Sequence, residues 1–248
     1  SLVGWWRFEE NASDSSSYGN DGTLNGDIQN TTGIRGKAYE FDGDGDYVDT
    51  STTTDTNFVK TDAFTISAWV YNYDVPTNWE SNTIVSNVKK DDDYKGWQVR
   101  YTQDEVFSAY VGYYDGTWHQ LKVDSTNTYE INQWYHVAYI NTGFAGEQSL
   151  YINGVEDSGN RNNNEDAFNY SGTQAIFVGT RGTTSDSYFN GSIDDVMIFD
   201  RALSEQEIKA IYNAQENQYY NNFTNLSSGE YSYTAYSQDM AENLNSTL

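Results

Sequence analysis

Apolar and polar residues alternate with a period of two along much of this chain, and one late segment breaks that pattern. In Phe64-Thr65-Ile66-Ser67-Ala68-Trp69-Val70-Tyr71, Phe64, Ile66, Ala68 and Val70 share one face, and Thr65, Ser67, Trp69 and Tyr71 share the other. Successive side chains of a strand point to opposite sides, so this is a strand with one face toward a core. Trp134 to Ile140 (WYHVAYI) is apolar or aromatic on both faces, which predicts a central strand covered on both sides. Ser149 to Val155 (SLYINGV) runs into Asn153-Gly154, a pair that readily supplies the two positive-φ residues of a tight hairpin. Shorter strands are predicted at 2–8, 37–41, 45–50, 82–88, 96–102, 106–112, 117–123, 174–179 and 189–199.

The exception follows the last of these. After the apolar run Ile193 to Phe199 and a short turn, Leu203-Ser204-Glu205-Gln206-Glu207-Ile208 reads as a helix start. Ser204 is an N-cap for the Glu207 N–H, Glu207 can reach back to the Ser204 N–H, and Leu203 and Ile208 stand at the two positions of a hydrophobic staple. The helix should lay Ile208, Ile211 and Tyr212 against the domain. Short strands, polar turns and one late helix predict an all-β fold: a two-sheet antiparallel β-sandwich or jelly roll with a short C-terminal helix. Asn11 to Asn30 and Asp157 to Ser171 read as long polar surface loops. Beyond Asn213 the pattern weakens. Residues 1–214 are expected to form the main domain, and 215–248 a β tail too short to fold alone, with Phe223, Tyr231 and Tyr233 as its anchoring side chains.

Composition narrows the functional classes. The chain has 248 residues, 16% aromatic, and no cysteine, which excludes a disulfide scaffold, a thiol nucleophile and a thiolate metal site. A net charge of −24 repels phosphate backbones, so nucleic acid is not an expected partner, whereas cations such as Ca²⁺ are attracted. No apolar run approaches the roughly 20 residues that cross a bilayer, so membrane insertion is not expected. Ser1 to Trp6 already reads as a strand, as in a processed chain or a piece of a longer one. Asn11, Asn30, Asn169, Asn190, Asn222, Asn225 and Asn245 head N-x-[ST] sequons, which permit glycosylation without showing it.

Seven segments in order carry a resemblance. LVGWWRFE at Leu2, DSSSYGNDG at Asp14, KAYEFDGDGDYV at Lys37, the FTISAWVY, WYHVAYI and LYINGV strands, and GSIDDVMIFDRALSEQEI at Gly191 together resemble the laminin-G-like, concanavalin A-like jelly rolls of bacterial and archaeal surface proteins. The resemblance runs from about Leu2 to Ala214. It implies a concanavalin A-like sandwich and a range of roles: glycan-binding modules, adhesion modules and accessory domains of hydrolases. The tail resembles the last strands of an immunoglobulin-like surface domain.

Three kinds of site are weighed. Asp14, Asn20 and Asp21 offer oxygens on one flexible loop, and the resemblance implies that this loop lies near Asp194 and Asp195; a Ca²⁺ bound by the five is one reading, and a solvated acidic loop the other. Asp42-Gly43-Asp44-Gly45-Asp46 imitates the start of an EF-hand loop but has Tyr47 where Gly is needed and Thr53 where Glu is needed, so it reads as a turn. Trp79, Trp97, Tyr113, Tyr114 and Trp118 lie in or beside loops, where their faces could stack on sugar rings; core packing is the competing role of each. Catalysis is not expected. No strand carries the Glu-x-Asp-x-(x)-Glu pattern of glucanases of this fold, and His119 and His136 are the only histidines available for a lyase-type constellation.

The expected function is therefore a non-catalytic binding or adhesion module, extracellular or at a cell surface, glycan-directed and stabilised by Ca²⁺, with carbohydrate or a surface protein as partner. The alternatives are a structural subunit that self-assembles through its tail by strand addition, and an accessory domain of a secreted carbohydrate-active enzyme.

Overall fold

The structure is a computed structural model. It describes residues 1–52, 58, 61–77, 81–88, 95–114, 116–143, 147–163, 175–182, 187–216, 236–238 and 244–246. The chain divides into two units, Ser1–Asn217 and Gln218–Leu248.

In the first unit the strands are β1 (Leu2–Trp6), β2 (Thr23–Asn25), β3 (Gln29–Thr32), β4 (Lys37–Asp42), β5 (Tyr47–Thr52), β6 (Phe64–Asn72), β7 (Ser81–Ser86) and β8 (Gly96–Thr102). They continue with β9 (Phe107–Tyr114), β10 (Trp118–Asp124), β11 (Trp134–Asn141), β12 (Gln148–Ile152), β13 (Val155–Glu156), β14 (Arg161–Asn163), β15 (Ala175–Val178) and β16 (Asn190–Phe199). Helix α1 (Glu205–Glu216) closes the unit. Sheet A has the order β13-β12-β11-β6-β16-β4-β3, with β1 also paired to β16, and sheet B the order β14-β10-β9-β8-β7-β15-β5-β2. The pairings are antiparallel throughout, so the expected two-sheet concanavalin A-like sandwich is what forms.

The core lies between the sheets and follows the alternation. Phe64, Ile66, Ala68 and Val70 of β6 meet Trp97, Val99 and Tyr101 of β8 and Phe107, Ala109 and Val111 of β9 in one buried cluster. The opposite face of β6 is also buried, because α1 covers it. Ile208 packs with Leu203, Ala138, Ile140 and Tyr151, and the Tyr212 ring stacks on Trp69 at 5.6 Å. Strand β11 therefore has the core on one side and the helix on the other, which is why both its faces are apolar. The cap forms as expected: Ser204 N–H donates to Glu207 at 2.9 Å, and Glu207 N–H to Ser204 Oγ at 3.3 Å. Arg201 grips the same carboxylate through two nitrogens, at 2.6 and 3.1 Å. Asn153 and Gly154 take φ values of 52° and 75° between β12 and β13, as a tight hairpin requires.

Three strands were not expected. β2 and β3 lie in the stretch that read as a polar loop, and β14 in the second such stretch. All three are sheet edges. The described faces of β2 and β3 are largely exposed, so no hydrophobic period marks them.

In the second unit β17 (Tyr236–Gln238) pairs antiparallel with β18 (Leu244–Ser246). Phe223, Tyr231 and Tyr233 lie outside the described residues.

Candidate functional site

The first loop is an internal tether. One carboxylate, Asp14, accepts four hydrogen bonds: Trp5 N–H at 2.9 Å, Ser16 N–H at 2.8 Å, Ser16 Oγ–H at 2.7 Å and Asn20 N–H at 2.9 Å. Burial pushes its pKa up, but the four donors outweigh that and hold it below the usual carboxylate value. Asp21 accepts the Asp14 N–H, and Asn20 donates to the Val3 carbonyl while its own carbonyl takes the Trp6 indole N–H. The expected partners across the fold are met through Trp5, whose indole N–H donates to Asp195 at 2.9 Å. Asp194 points elsewhere, accepting the Ile34 N–H at 3.0 Å. The five residues expected to hold Ca²⁺ thus work as hydrogen-bond acceptors and donors that stitch the loop, β1 and β16 together. Among the described residues, the carboxylates that converge within 4.8 Å are Asp27, Asp42 and Asp46 instead. Buried Asp46 accepts N–H donors from Asp27 at 2.7 Å and Asp42 at 3.2 Å. Burial, and then the charges of Asp42 and Asp27, leave it above its usual pKa despite those bonds.

The aromatic candidates separate. Trp97 is completely buried in the core against Phe64 and is closed to any ligand; the alternation Trp97, Val99, Tyr101 already puts it on the inner face. Trp79 lies outside the described residues. Tyr113 and Tyr114 end β9 and Trp118 begins β10, with Trp118 paired to Tyr114, but their side chains lie outside the described residues.

Among the described residues, two open concavities lie where β7 begins. The first, of about 180 Å³, is lined by Ser81 of β7, Arg100 and Thr102 of β8, Gln103 and Asp104 of the following turn, Val106, and Lys122 and Asp124 of β10. The second, of about 190 Å³, is lined by Asp42 and Gly43, by Asp74 to Thr77, by Ser81 and Asn82, and by Tyr188 and Asn190. Ser81 belongs to both walls. In the second cleft Asp74 organises the amides, taking Asn82 Nδ2–H at 3.1 Å on one oxygen and Asn190 Nδ2–H at 2.8 Å on the other. Both clefts are smaller than pockets that enclose a drug-sized ligand, so each suits one part of an extended ligand.

The first cleft opens at one end of the polar outer face of sheet B, where Arg100, Lys122 and Asp124 line it, while Thr83, Ser86, Gln98, Ser108 and Tyr110 of the same face are buried. Thr83, Arg100, Ser108 and Asp124 form one row across four strands, and Ser86, Gln98, Tyr110 and Lys122 the next. Arg100 Cζ lies 5.4 Å from the Tyr110 ring centroid, a cation–π distance. Burial lowers its pKa and Arg181 adds to that, against Tyr110 and Asp124. Lys122 Nζ reaches Asp124 at 2.7 Å. These residues were missed from sequence. Their signal was the pair Gln98 and Arg100 on the polar side of a strand whose other side is Trp97, Val99 and Tyr101.

A family model described as the Concanavalin A-like lectin/glucanases superfamily matches residues 42–209. The chain belongs to that superfamily. Several domains of solved structure align with it over most of its length. The receptor binding domain of botulinum neurotoxin C/D mosaic serotype aligns with a TM-score of 0.64 at 20% identity, over 87% of this chain and 51% of that one. The binding domain of Paraclostridial Mosquitocidal Protein 1 aligns with a TM-score of 0.63 at 19% identity, over 86% and 52%. Domain 4 of AbnA, a GH43 extracellular arabinanase from Geobacillus stearothermophilus solved with arabinotriose, aligns with a TM-score of 0.59 at 20% identity, over 85% and 98%. The chain thus spans about half of the two toxin domains and nearly all of the arabinanase domain. Identities this low speak to the shared fold alone. No curated protein matches the sequence.

Proposed function

We propose that this chain is a non-catalytic carbohydrate-binding module, extracellular or at a cell surface, that takes its ligand in the two clefts joined at Ser81. The observation that carries the reading is their adjacency: two hollows that share Ser81, lined by hydroxyl, amide, carboxylate and cationic groups, hold the inventory that sugar hydroxyls demand. Domain 4 of an arabinanase, with arabinotriose bound, offers a precedent on the same fold. It also favours the accessory-domain form of the proposal, in which a catalytic domain lies elsewhere in a longer protein. Against catalysis stands the placement of the acids. Glycoside hydrolysis needs an acid held above its usual pKa beside a second carboxylate. Among the described residues the carboxyls raised in this way are Asp46, Asp194 and Asp195, and none of them lines either cleft.

Ca²⁺ belongs to the same proposal at Asp27, Asp42 and Asp46. Carboxylate oxygens are its preferred ligands, and a cation would offset the mutual repulsion of the three. Asp42 also lines the second cleft, so the ion would steady one of its walls.

The test is binding of the purified chain to a glycan panel of neutral and acidic oligosaccharides, followed by calorimetry on any hit. Asp74→Ala and Asn190→Ala should weaken binding about tenfold or more without lowering the melting temperature in proportion. A chain that binds nothing on the panel, or whose binding ignores both substitutions, refutes the reading.

A further inference from the structure

We infer that the cleft on β7, β8 and β10 selects an acidic polysaccharide, one containing uronic acid residues, and that Arg100 takes the sugar carboxylate. This rests on the carbohydrate-binding reading and narrows its ligand class.

Among the described residues the Arg100 side chain makes no ion pair and no hydrogen bond, and its Nε is shielded from solvent with no acceptor. Its neighbours directly across the sheet are Thr83 and Ser108, both uncharged, and the Ser108 hydroxyl is itself buried without a partner. Asp124, the nearest carboxylate in the row, is engaged by Lys122. What the protein offers the guanidinium directly is the face of Tyr110.

Such an arrangement runs against the composition. The chain has 37 acidic and 13 basic residues, so an arginine set into a sheet face would meet a carboxylate readily by chance. A desolvated charge without a direct ion pair is costly, and burial here lowers the Arg100 pKa although Tyr110 and Asp124 act against that from a distance. A neutral hydroxyl would accept a hydrogen bond but leave the charge uncompensated. A carboxylate would supply both charge and two oxygens for the planar fork.

A second group points the same way. Ser81 Oγ, in a residue 3% exposed, has no partner and stands on the cleft wall. It can donate to a carboxylate oxygen or to a ring hydroxyl. Lys122 and Asp124 form an ion pair whose charges largely cancel, and Arg181 adds positive potential. The opposing charge at the mouth is Asp104, on an exposed turn where solvent screens it. The second cleft, lined by Asp42 and Asp74, would then receive an uncharged portion of the same chain through hydroxyl hydrogen bonds.

The experiment compares matched ligands by calorimetry on the full chain. Oligosaccharides of alginate, polygalacturonate and hyaluronan are titrated beside their carboxyl-reduced forms, which keep the linkages and lose the charge; neutral and sulfated glycans complete the set. The expected result is at least a tenfold preference for one or more acid forms. Arg100→Gln should abolish that preference, and Arg100→Lys should restore part of it. Ser81→Ala, a smaller change that keeps the charge, should weaken acid and reduced forms by similar factors. Equal affinity for acid and reduced forms in the unaltered chain overturns the inference while leaving the carbohydrate-binding reading in place. Equal affinity for sulfated glycans overturns the carboxylate class. Binding to no glycan at all overturns both readings.

Discussion

Asp194 should make this protein lose stability as the solution becomes alkaline, and the effect is large enough to isolate with one substitution. The residue is 1% exposed, Oδ2 accepts the Ile34 N–H, and Oδ1 has no hydrogen-bond partner. Burial first, and then the neighbouring charge of Asp195, push its pKa up from 3.8 to about 8. The folded state therefore holds a proton that the unfolded chain releases near pH 3.8. A group raised in this way contributes stability that is fully present below the unfolded pKa and is lost as pH rises through the folded one. Each pH unit between those limits costs about 1.4 kcal/mol, so the interval from pH 5 to pH 8 costs about 4 kcal/mol. Asp194→Asn keeps the shape and the acceptor for Ile34 and removes the titration of this residue, leaving that of Asp195, which burial also raises, common to both proteins. Its stability relative to the unaltered chain, from urea unfolding at pH 5, 6.5 and 8, should climb by about that amount across the series. In melting temperature this is roughly 10 °C for a domain of this size. Any fixed cost of the new amide moves all three points together. A difference between the two proteins that stays flat with pH refutes the buried, protonated state.

His136 titrates in the opposite sense: burial lowers its pKa to about 3, and its Nε2 lies 2.8 Å from Ser67 Oγ beneath Trp69 and Tyr212. Its contribution is present above pH 6.5 and fades at about 1.4 kcal/mol per unit as pH falls toward 3. His136→Gln should flatten the acid limb of the stability curve, and parallel curves for the two proteins would refute this. Ser204→Ala removes a cap that bonds reciprocally with Glu207 and should cost about 1 kcal/mol, seen as a melting temperature lower by a few degrees; an unchanged melt means the cap is idle. Ca²⁺ at about 100 times its dissociation constant should add about 2.7 kcal/mol, reversed by chelator and absent in Asp46→Asn. A melt indifferent to Ca²⁺ removes the ion from the account.

The sandwich was legible wherever one face of a strand meets the core and the other does not. The alternation in β6 named its inner face correctly, and the doubly apolar β11 announced that something covers it from outside. The cap at Ser204 and the turn at Asn153-Gly154 were equally readable, because both signals are local chemistry. β2, β3 and β14 were not legible, since an edge strand held by backbone bonds leaves no period in its side chains. The site was harder for a related reason. Asp14, Asp194 and Asp195 were brought forward as ligands by the oxygens of one loop and by the resemblance, and each carboxylate here is met by an N–H donor from backbone or indole. Asp27 and Asp46 are 19 positions apart and converge only through the pairing of β2 with β5, a register that composition does not reveal. Trp97 was mistaken for a platform because nearness to a loop outweighed its place in the alternation.

The helix decides where a ligand can sit. In sheet A, the outer faces of β6 and β11 are occupied by α1, down to the bonds by which Thr65 accepts the Leu203 N–H and donates to the Arg201 carbonyl. Those polar side chains of β6 serve docking and are unavailable for recognition. On the outer face of sheet B, Gln98 Oε1, the Ser108 hydroxyl and Arg100 Nε are shielded yet unpartnered, and Ser81 Oγ stands beside an open cleft. Sheet A also keeps buried groups without a partner, at Asn72 Oδ1, His136 Nδ1, Gln148 and Asp194 Oδ1, so what sets sheet B apart is the open cleft beside its own. Unpaired buried polar groups cost about 1–3 kcal/mol each. That cost is tolerated most readily where a ligand removes it, and the same cleft that binds should therefore be the one that ligand stabilises most.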